Sequence, residues 1–113
     1  MVTVNSVKTS SGSTYIKPQS GDEFVIVDVT VKNVSKSEQT VSSLASFGFK
    51  DATGQDYTET IGNIGKPPDG KVQPGSLLRG QLTYDVPKAQ KTFTFSFESD
   101  IFSSGQTTWD LSI

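Results

Sequence analysis

The feature that most constrains the fold is a regular alternation of apolar and polar side chains with a period of two residues. It is clearest over Phe24–Val34, where one face of the segment carries Val25, Val27, Val29 and Val31. The opposite face of the same segment carries Asp28, Thr30 and Lys32. Successive side chains of a β-strand point to opposite sides, so this pattern indicates a strand with one buried face. The valines strengthen the prediction because β-branched residues are enriched in strands.

Three further segments share this alternation and predict strands of similar strength: Leu77–Val86, Thr92–Glu98 and Thr107–Ile113. In the first of them Gly80 falls on the apolar face, which predicts either a bulge or the close approach of another chain segment. Phenylalanines occupy every second position in the middle one. The side chains expected to be buried in the core are Val27, Val29, Leu82, Phe95 and Trp109.

Weaker patterns predict shorter strands in the rest of the chain. They are expected at Val2–Lys8, Thr14–Lys17, Thr40–Ser43, Phe47–Asp51 and Gln55–Thr58. In the first of these, Val2 and Val4 are out of phase with Val7. A change of phase within a strand is what a β-bulge produces, so a bulge is expected near Asn5.

Short strands separated by turns, without a long helical period, predict an all-β fold. The one-sided strands favour an immunoglobulin-like β-sandwich of two antiparallel sheets with about seven to nine strands. Leu44–Phe47 allows no more than one helical turn, and Thr60–Gln73 is expected to be the longest irregular stretch. The apolar pair Ile101–Phe102 is expected either to plug the end of the sandwich or to form an exposed contact.

Length and composition limit the domain's organisation and its partners. The chain has 113 residues, so residues 1–113 are expected to form a single domain. It contains 16 Ser and 13 Thr, its net charge is only −2, and its basic residues are scattered. A nucleic-acid-binding protein needs a basic patch, and a membrane span needs a long apolar run. We therefore expect no nucleic-acid binding and no membrane insertion by this domain.

The absence of Cys and His excludes several kinds of catalytic site. Ser–His–Asp and Cys–His arrangements, thiol redox chemistry and thiolate metal sites all need one of these residues. A Ser–Lys pair remains open, as does a pair of carboxylates for glycoside hydrolysis. The candidate pairs are Glu98 with Asp100 and Asp51 with Asp56, and all four acids are expected in turns or on solvent-facing positions.

Calcium binding is the alternative chemistry that the acidic residues allow, because this ion prefers oxygen ligands. The candidate ligands are Asp51, Thr53, Gln55 and Asp56 in one loop, with Asp69 in another. The set is sparser than an EF-hand loop, and an ordinary turn accounts for the spacing of Asp51 and Gly54. We therefore expect no catalytic residues, no metal site and no cofactor, and we expect that the domain is not an enzyme.

Three parts of the chain, taken in their order and spacing, carry a resemblance to a known family. They are Gly21–Ser35 with Gln39–Ser43, Phe47–Tyr57, and Val72–Lys88. Segments like Val31–Ser35 recur in many bacterial Ig-like modules, and the combination of Pro74–Gly75, Gly80 and Asp85–Pro87 narrows the choice. The chain resembles a family of bacterial extracytoplasmic domains of unknown function, whose members are often lipoproteins related to secreted bacterial immunogens.

The resemblance implies an immunoglobulin-like fold and a location outside the cytoplasm, with no catalytic residues to carry over. The expected function is a non-catalytic binding or accessory module whose partner is an unknown protein or cell-surface ligand. One alternative is a structural spacer in a larger surface protein, and a second is a calcium-dependent or carbohydrate-active domain. Family members usually have a signal peptide and a lipid-modified Cys ahead of the domain. Neither is in this sequence, so Met1 is expected to begin either a cytoplasmic protein or, as we favour, a domain cut from a longer precursor.

Overall fold

The computed structural model describes residues 1–12, 17–60, 66–98 and 106–113. Within these ranges the chain forms nine strands and one helical turn. In order they are β1 (Val2–Ser10), β2 (Asp22–Lys32), β3 (Gln39–Val41), α1 (Ser43–Ser46), β4 (Phe47–Asp51), β5 (Asp56–Tyr57), β6 (Gly70–Val72), β7 (Leu77–Pro87), β8 (Thr92–Glu98) and β9 (Gln106–Ser112). The predicted all-β class is confirmed, and α1 is the single helical turn that the sequence allows.

The first sheet places β2 between β1 and β7, and both pairings are antiparallel. Its inner face carries the alternating valines of β2, all completely buried: Val25, Val27, Val29 and Val31. The register of β1 against β2 shifts between Val4 and Ser6, so the bulge predicted near Asn5 is confirmed.

The second sheet has the strand order β5-β4-β8-β9 and is also antiparallel. Its inner face is aromatic and is formed by Phe47, Phe49, Phe93, Phe95 and Phe97, all of them buried. Phe49 stacks on Tyr84 of β7 with 4.2 Å between the ring centroids, so this contact joins the two sheets. Each buried ring stabilises the sandwich by roughly 1.5–3 kcal/mol relative to an exposed one.

Trp109 is only half-buried, so its predicted place in the buried core is wrong. The other predicted core residues are completely buried: Val27, Val29, Leu82 and Phe95. Trp109 does pack on Phe95, with ring centroids 5.5 Å apart. It lies on β9, which has a neighbouring strand on one side only among the described residues. An edge strand leaves part of an inward-pointing side chain uncovered.

A short ribbon formed by β3 and β6 adds to the two predicted sheets. It corrects the prediction that Thr60–Gln73 is irregular throughout, since β6 lies inside that stretch. Asn33 is completely buried and ties the ribbon to the end of β2, because its amide donates to the Val72 carbonyl at 2.7 Å. The three residues of β6 are too few to show an alternation, and pairing with β3 makes them a strand.

Gly80 is the point where another segment crosses closely over β7, as one of the two predictions for this residue proposed. A β-carbon at this position would lie 2.7 Å from Pro68 Cα and 2.8 Å from the Pro67 carbonyl carbon. The pairing of β7 with β2 continues through Gly80 without a register shift. The glycine therefore makes room for the backbone of the prolines, and there is no bulge against β2.

The outward face of β2 is more covered than its polar composition suggests. Phe24, Ile26 and Asp28 are all buried although they alternate with the core valines.

Three further predictions fall outside the described residues: positions 14–16 of the strand Thr14–Lys17, the pair Ile101–Phe102, and Asp100.

Candidate functional site

Asp51 closes the turn between β4 and β5 with both of its carboxylate oxygens. Oδ1 accepts hydrogen bonds from the backbone N–H of Thr53 at 2.8 Å and of Gln55 at 3.1 Å, and from the Thr53 hydroxyl at 2.6 Å. Oδ2 accepts a hydrogen bond from the Tyr57 hydroxyl at 2.7 Å. The Thr53 and Tyr57 hydroxyls stabilise the carboxylate, which lowers the pKa of Asp51 to about 2. Burial and this hydrogen bond to Asp51 raise the pKa of Tyr57 to about 12.

The other candidates for a carboxylate pair or a calcium site have partners of their own. Asp56 is exposed and lies 3.9 Å from the Lys50 ammonium, and the Gln55 amide donates to the Asp56 carbonyl at 3.1 Å. Asp69 accepts from Ser43, and Glu98 is exposed at the end of β8. Among the described residues, no group of three or more Asp, Glu, His or Cys side chains is placed to hold a metal ion.

A cluster of three side chains that the sequence analysis did not bring together lies where α1, β5 and β6 meet. The Ser43 backbone N–H donates to Asp69 Oδ1 at 2.6 Å. The Ser43 hydroxyl oxygen lies 3.1 Å from both Asp69 Oδ2 and Glu59 Oε1. The other Glu59 oxygen, Oε2, is buried and has no hydrogen-bond partner among the residues that the structure describes. We call Ser43, Glu59 and Asp69 the Ser43 cluster.

Burial and charge act together on the acids of the Ser43 cluster. Burial raises the pKa of Glu59, the hydrogen bond from Ser43 partly opposes this, and the charge of Asp69 raises it further. The charge of Glu59 also adds to burial in raising the pKa of Tyr84. The Glu59 carboxyl is therefore harder to ionise than an exposed one.

A second pair of carboxylates, Asp22 and Asp85, lies where β2 begins and β7 ends. Asp85 Oδ2 accepts from the backbone N–H of Gln19 at 3.0 Å, whereas Asp85 Oδ1 is buried and receives no hydrogen bond from an N–H or hydroxyl group of the described residues. The hydrogen bond with Asp85, with burial, raises the pKa of Asp22. A hydrogen bond between two carboxyl groups requires that one of them be protonated.

Asp28 is the centre of a polar network on the outward face of the first sheet. Its carboxylate accepts hydrogen bonds from the Arg79 guanidinium at 3.0 and 3.2 Å, from the Asn5 amide at 2.9 Å and from the Gln81 amide at 3.3 Å. The hydrogen bonds from Arg79 contribute most to lowering the pKa of Asp28 to about 2. The bulge at Asn5 allows its amide to donate to both Asp28 and Thr30. An acid within a run of valines was the sequence signal for this network.

The outward face of the second sheet is rich in hydroxyl groups and carries two shallow grooves. We call this surface the hydroxyl face, and its members on β8 and β9 are Thr92, Thr94, Ser96, Thr108 and Ser112. Each groove has a volume of about 190 Å³, and Thr94 lines both of them. The second groove is also lined by Gly48 and by the Lys50–Asp56 ion pair.

This chain has relatives among known proteins. Residues 1–108 match a family described as a domain of unknown function, DUF4352. The chain belongs to this family. Membership in DUF4352 agrees with the resemblance to bacterial domains of unknown function that the sequence shows. No match is found among curated proteins.

Solved structures with a similar fold come from bacteria. A candidate lipoprotein of Bacillus subtilis, YcdA, has a TM-score of 0.77 at 18% identity, with 98% of this chain and 35% of that chain covered. The YjhA protein of the same species has a TM-score of 0.72 at 19% identity, with 98% and 89% covered. An uncharacterized β-sandwich protein of Clostridium difficile has a TM-score of 0.59 at 17% identity, with 96% and 83% covered.

The TM-scores show that the DUF4352 chain shares its fold with the three proteins, one of which is described as a β-sandwich protein. The chain spans only 35% of the length of YcdA. Within the described residues, the single helical turn is far too short to cross a bilayer, and no helix qualifies as a membrane span.

Proposed function

We propose that this DUF4352 domain is a non-catalytic binding or accessory module that works outside the cytoplasmic membrane. The resemblance to extracytoplasmic domains supports the location, as does the description of YcdA as a candidate lipoprotein. The chain contains no His and no Cys, which leaves few residues suited to acid–base or nucleophilic catalysis. A rigid sandwich that presents side chains from a sheet face is suited to binding.

The observation that carries the proposed binding role is the pair of grooves on the hydroxyl face. Hydroxyl groups both donate and accept hydrogen bonds, so they match the hydroxyl groups of a sugar. Lys50 and Asp56 lie 3.9 Å apart beside the second groove and Asp110 lines the first, so the described residues give neither groove a net positive charge that would favour an anionic ligand. The most exposed large apolar residues of the described chain do not line either groove: Met1, Val34, Leu44 and Leu77. We infer that a neutral cell-surface glycan is the ligand class.

The test is co-sedimentation of the purified domain with insoluble peptidoglycan and, separately, with insoluble β-glucan. We expect binding to one of them, and Thr94→Arg is expected to weaken it at least about tenfold by filling both grooves, which corresponds to roughly 1.4 kcal/mol. The matched control is Thr3→Arg, because Thr3 is also an exposed strand residue but lies on the first sheet. Failure to bind either polymer, or equal weakening by both variants, would contradict the glycan proposal and favour a spacer.

The proposed location has a separate test. The native gene is read upstream of Val2, and cells that express it are fractionated, with a cytosolic enzyme as the control for leakage. We expect a signal sequence ahead of the domain and the protein in the membrane or extracellular fraction. A native start at Met1, with the protein only in the cytosol, contradicts a role outside the cytoplasmic membrane.

A further inference from the structure

The Ser43 cluster offers few hydrogen-bond donors to the partly buried Glu59 carboxylate, whereas Asp69 is exposed to water. Ser43 contributes one backbone N–H, which donates to Asp69 Oδ1, and one hydroxyl hydrogen. The hydroxyl oxygen is 3.1 Å from Asp69 Oδ2 and equally far from Glu59 Oε1, but its single hydrogen can lie toward only one of them. If both acids were ionised, Glu59 would receive at most the shared Ser43 hydrogen, and its buried Oε2 has no donor among the described residues.

One additional proton completes the cluster. A proton on Glu59 Oε1 donates to Ser43 Oγ, and the Ser43 hydroxyl then donates to Asp69 Oδ2. The same proton removes the charge from a carboxyl whose second oxygen lies buried, and burial of an unpaired charge is strongly unfavourable. Placing the proton on Asp69 is less favourable, because Asp69 is exposed to water and its Oδ1 already accepts the Ser43 backbone N–H.

We propose that Glu59 is protonated in the closed fold, in which Thr60 is hydrogen-bonded to β7. The protonated Glu59 acts as a proton-dependent latch, because the chain Glu59–Ser43–Asp69 joins α1 to the segments beside β5 and β6. The next residue, Thr60, donates its backbone N–H to the Thr83 carbonyl of β7 at 2.7 Å. Release of the proton places two negative charges on either side of the Ser43 hydroxyl. The hydrogen bond from Thr60 to Thr83 of β7 then opens. The latch does not depend on the identity of the ligand.

The titratable groups that act with Glu59 come from the neighbouring elements. Asp69 precedes β6, and its charge disfavours ionisation of Glu59. Tyr84 of β7 is completely buried among aromatic rings and is itself harder to ionise because of Glu59. Burial and Asp69 raise the pKa of Glu59, so its contribution to stability is complete below the pKa of an unfolded glutamate. That contribution is lost as the pH rises through the higher pKa of the closed state.

The direct test is an NMR titration of the Glu59 side-chain carboxyl in the wild-type chain, together with the exchange protection of the Thr60 amide. We expect Glu59 to titrate above an unstructured glutamate. As the pH rises from the pKa of an unstructured glutamate to the pKa of Glu59, the protection factor of Thr60 is expected to fall by up to about tenfold per pH unit. This fall is expected because opening is linked to release of one proton. A Glu59 carboxyl that titrates at or below the value of an unstructured glutamate overturns the proposal.

Two matched variants assign the proton to one acid. Glu59→Gln keeps a donor and an acceptor without a charge, so it is expected to fold and to make the Thr60 protection factor independent of pH. Asp69→Asn removes the second negative charge, so it is expected to lower the pKa of Glu59 and to lessen the loss of Thr60 protection at high pH without abolishing it. Equal effects of the two variants, or continued pH dependence in Glu59→Gln, contradict the latch. If one variant does not fold, the wild-type titration decides.

Discussion

Replacement of Gly80 by alanine tests how closely the Pro67–Pro68 segment is held against β7. The new β-carbon would lie 2.7 and 2.8 Å from backbone carbons of this segment, well inside van der Waals contact. The segment cannot easily move away, because the Lys66 carbonyl accepts the Gln81 N–H at 2.8 Å, directly beside Gly80. The added methyl group must therefore displace backbone rather than a flexible side chain.

The magnitude follows from two opposing effects. Overpacking of a rigid site costs about 1–3 kcal/mol. Removal of a glycine restricts the unfolded chain and stabilises by about 0.4–1 kcal/mol, provided that the native backbone suits alanine. Gly80 does not have a positive φ, so this gain applies. The expected net loss for Gly80→Ala is about 1–2 kcal/mol, since the clash exceeds the entropic gain.

Gly48→Ala is the matched control, because Gly48 is also a strand glycine without a positive φ. Its β-carbon would lie 2.6 Å from the Ser96 hydroxyl oxygen, which rotation about one bond moves aside. We expect a change of less than about 0.5 kcal/mol. Both variants are measured by urea unfolding followed by circular dichroism, with the slope against urea checked for constancy. A Gly80→Ala chain as stable as Gly48→Ala would refute the reasoning.

Three further predictions concern the aromatic core, the two acids with lowered pKa values and calcium. Phe95→Ala is expected to lower the free energy of unfolding in urea by about 3–5 kcal/mol, as for other buried aromatic truncations. Trp109→Ala is expected to lower it less, because Trp109 is half-buried. Equal losses would contradict the edge position of β9. The pKa values of Asp28 and Asp51 are each lowered to about 2, so the stability they supply is complete above an unfolded pKa of about 3.9 and lost as the pH falls toward 2. Thermal melts between these pH values check this loss, and Asp51→Asn should flatten it. Calcium is expected to leave the melting temperature unchanged, whereas a rise that a chelator reverses would show a metal site.

The long strands could be predicted from the sequence because their signal is contained within each segment. The alternation in β2, β7 and β8 states which face is apolar without reference to any other part of the chain. β6 could not be predicted, because three residues form a strand only through pairing with β3, about thirty positions earlier. Trp109 shows the same limit, since a local pattern does not distinguish an edge strand from a central one.

The polar sites divide in the same way. The turn at Asp51 could be predicted from local spacing, because its donors lie within six residues. The calcium interpretation of that spacing assigned the same oxygens to a metal, whereas the structure assigns them to Thr53, Gln55 and Tyr57. The Ser43 cluster has no local signature, because its members are 16 and 26 positions from Ser43. The tertiary fold brings them together, by placing α1 beside the residues that follow β5 and precede β6.

A chain without His must place its response to pH on carboxyl groups, and this fold arranges them in two opposite ways. Asp28 and Asp51 are surrounded by donors, so they favour the ionised form and support the fold above strongly acidic pH. Burial raises the pKa of Glu59, and the hydrogen bond with Asp85 raises the pKa of Asp22, so both favour the protonated form and support the fold best at low pH. The first pair loses its contribution as the pH falls and the second pair as it rises. From these four groups, stability is therefore greatest near the pKa of unfolded carboxyl groups, about 4.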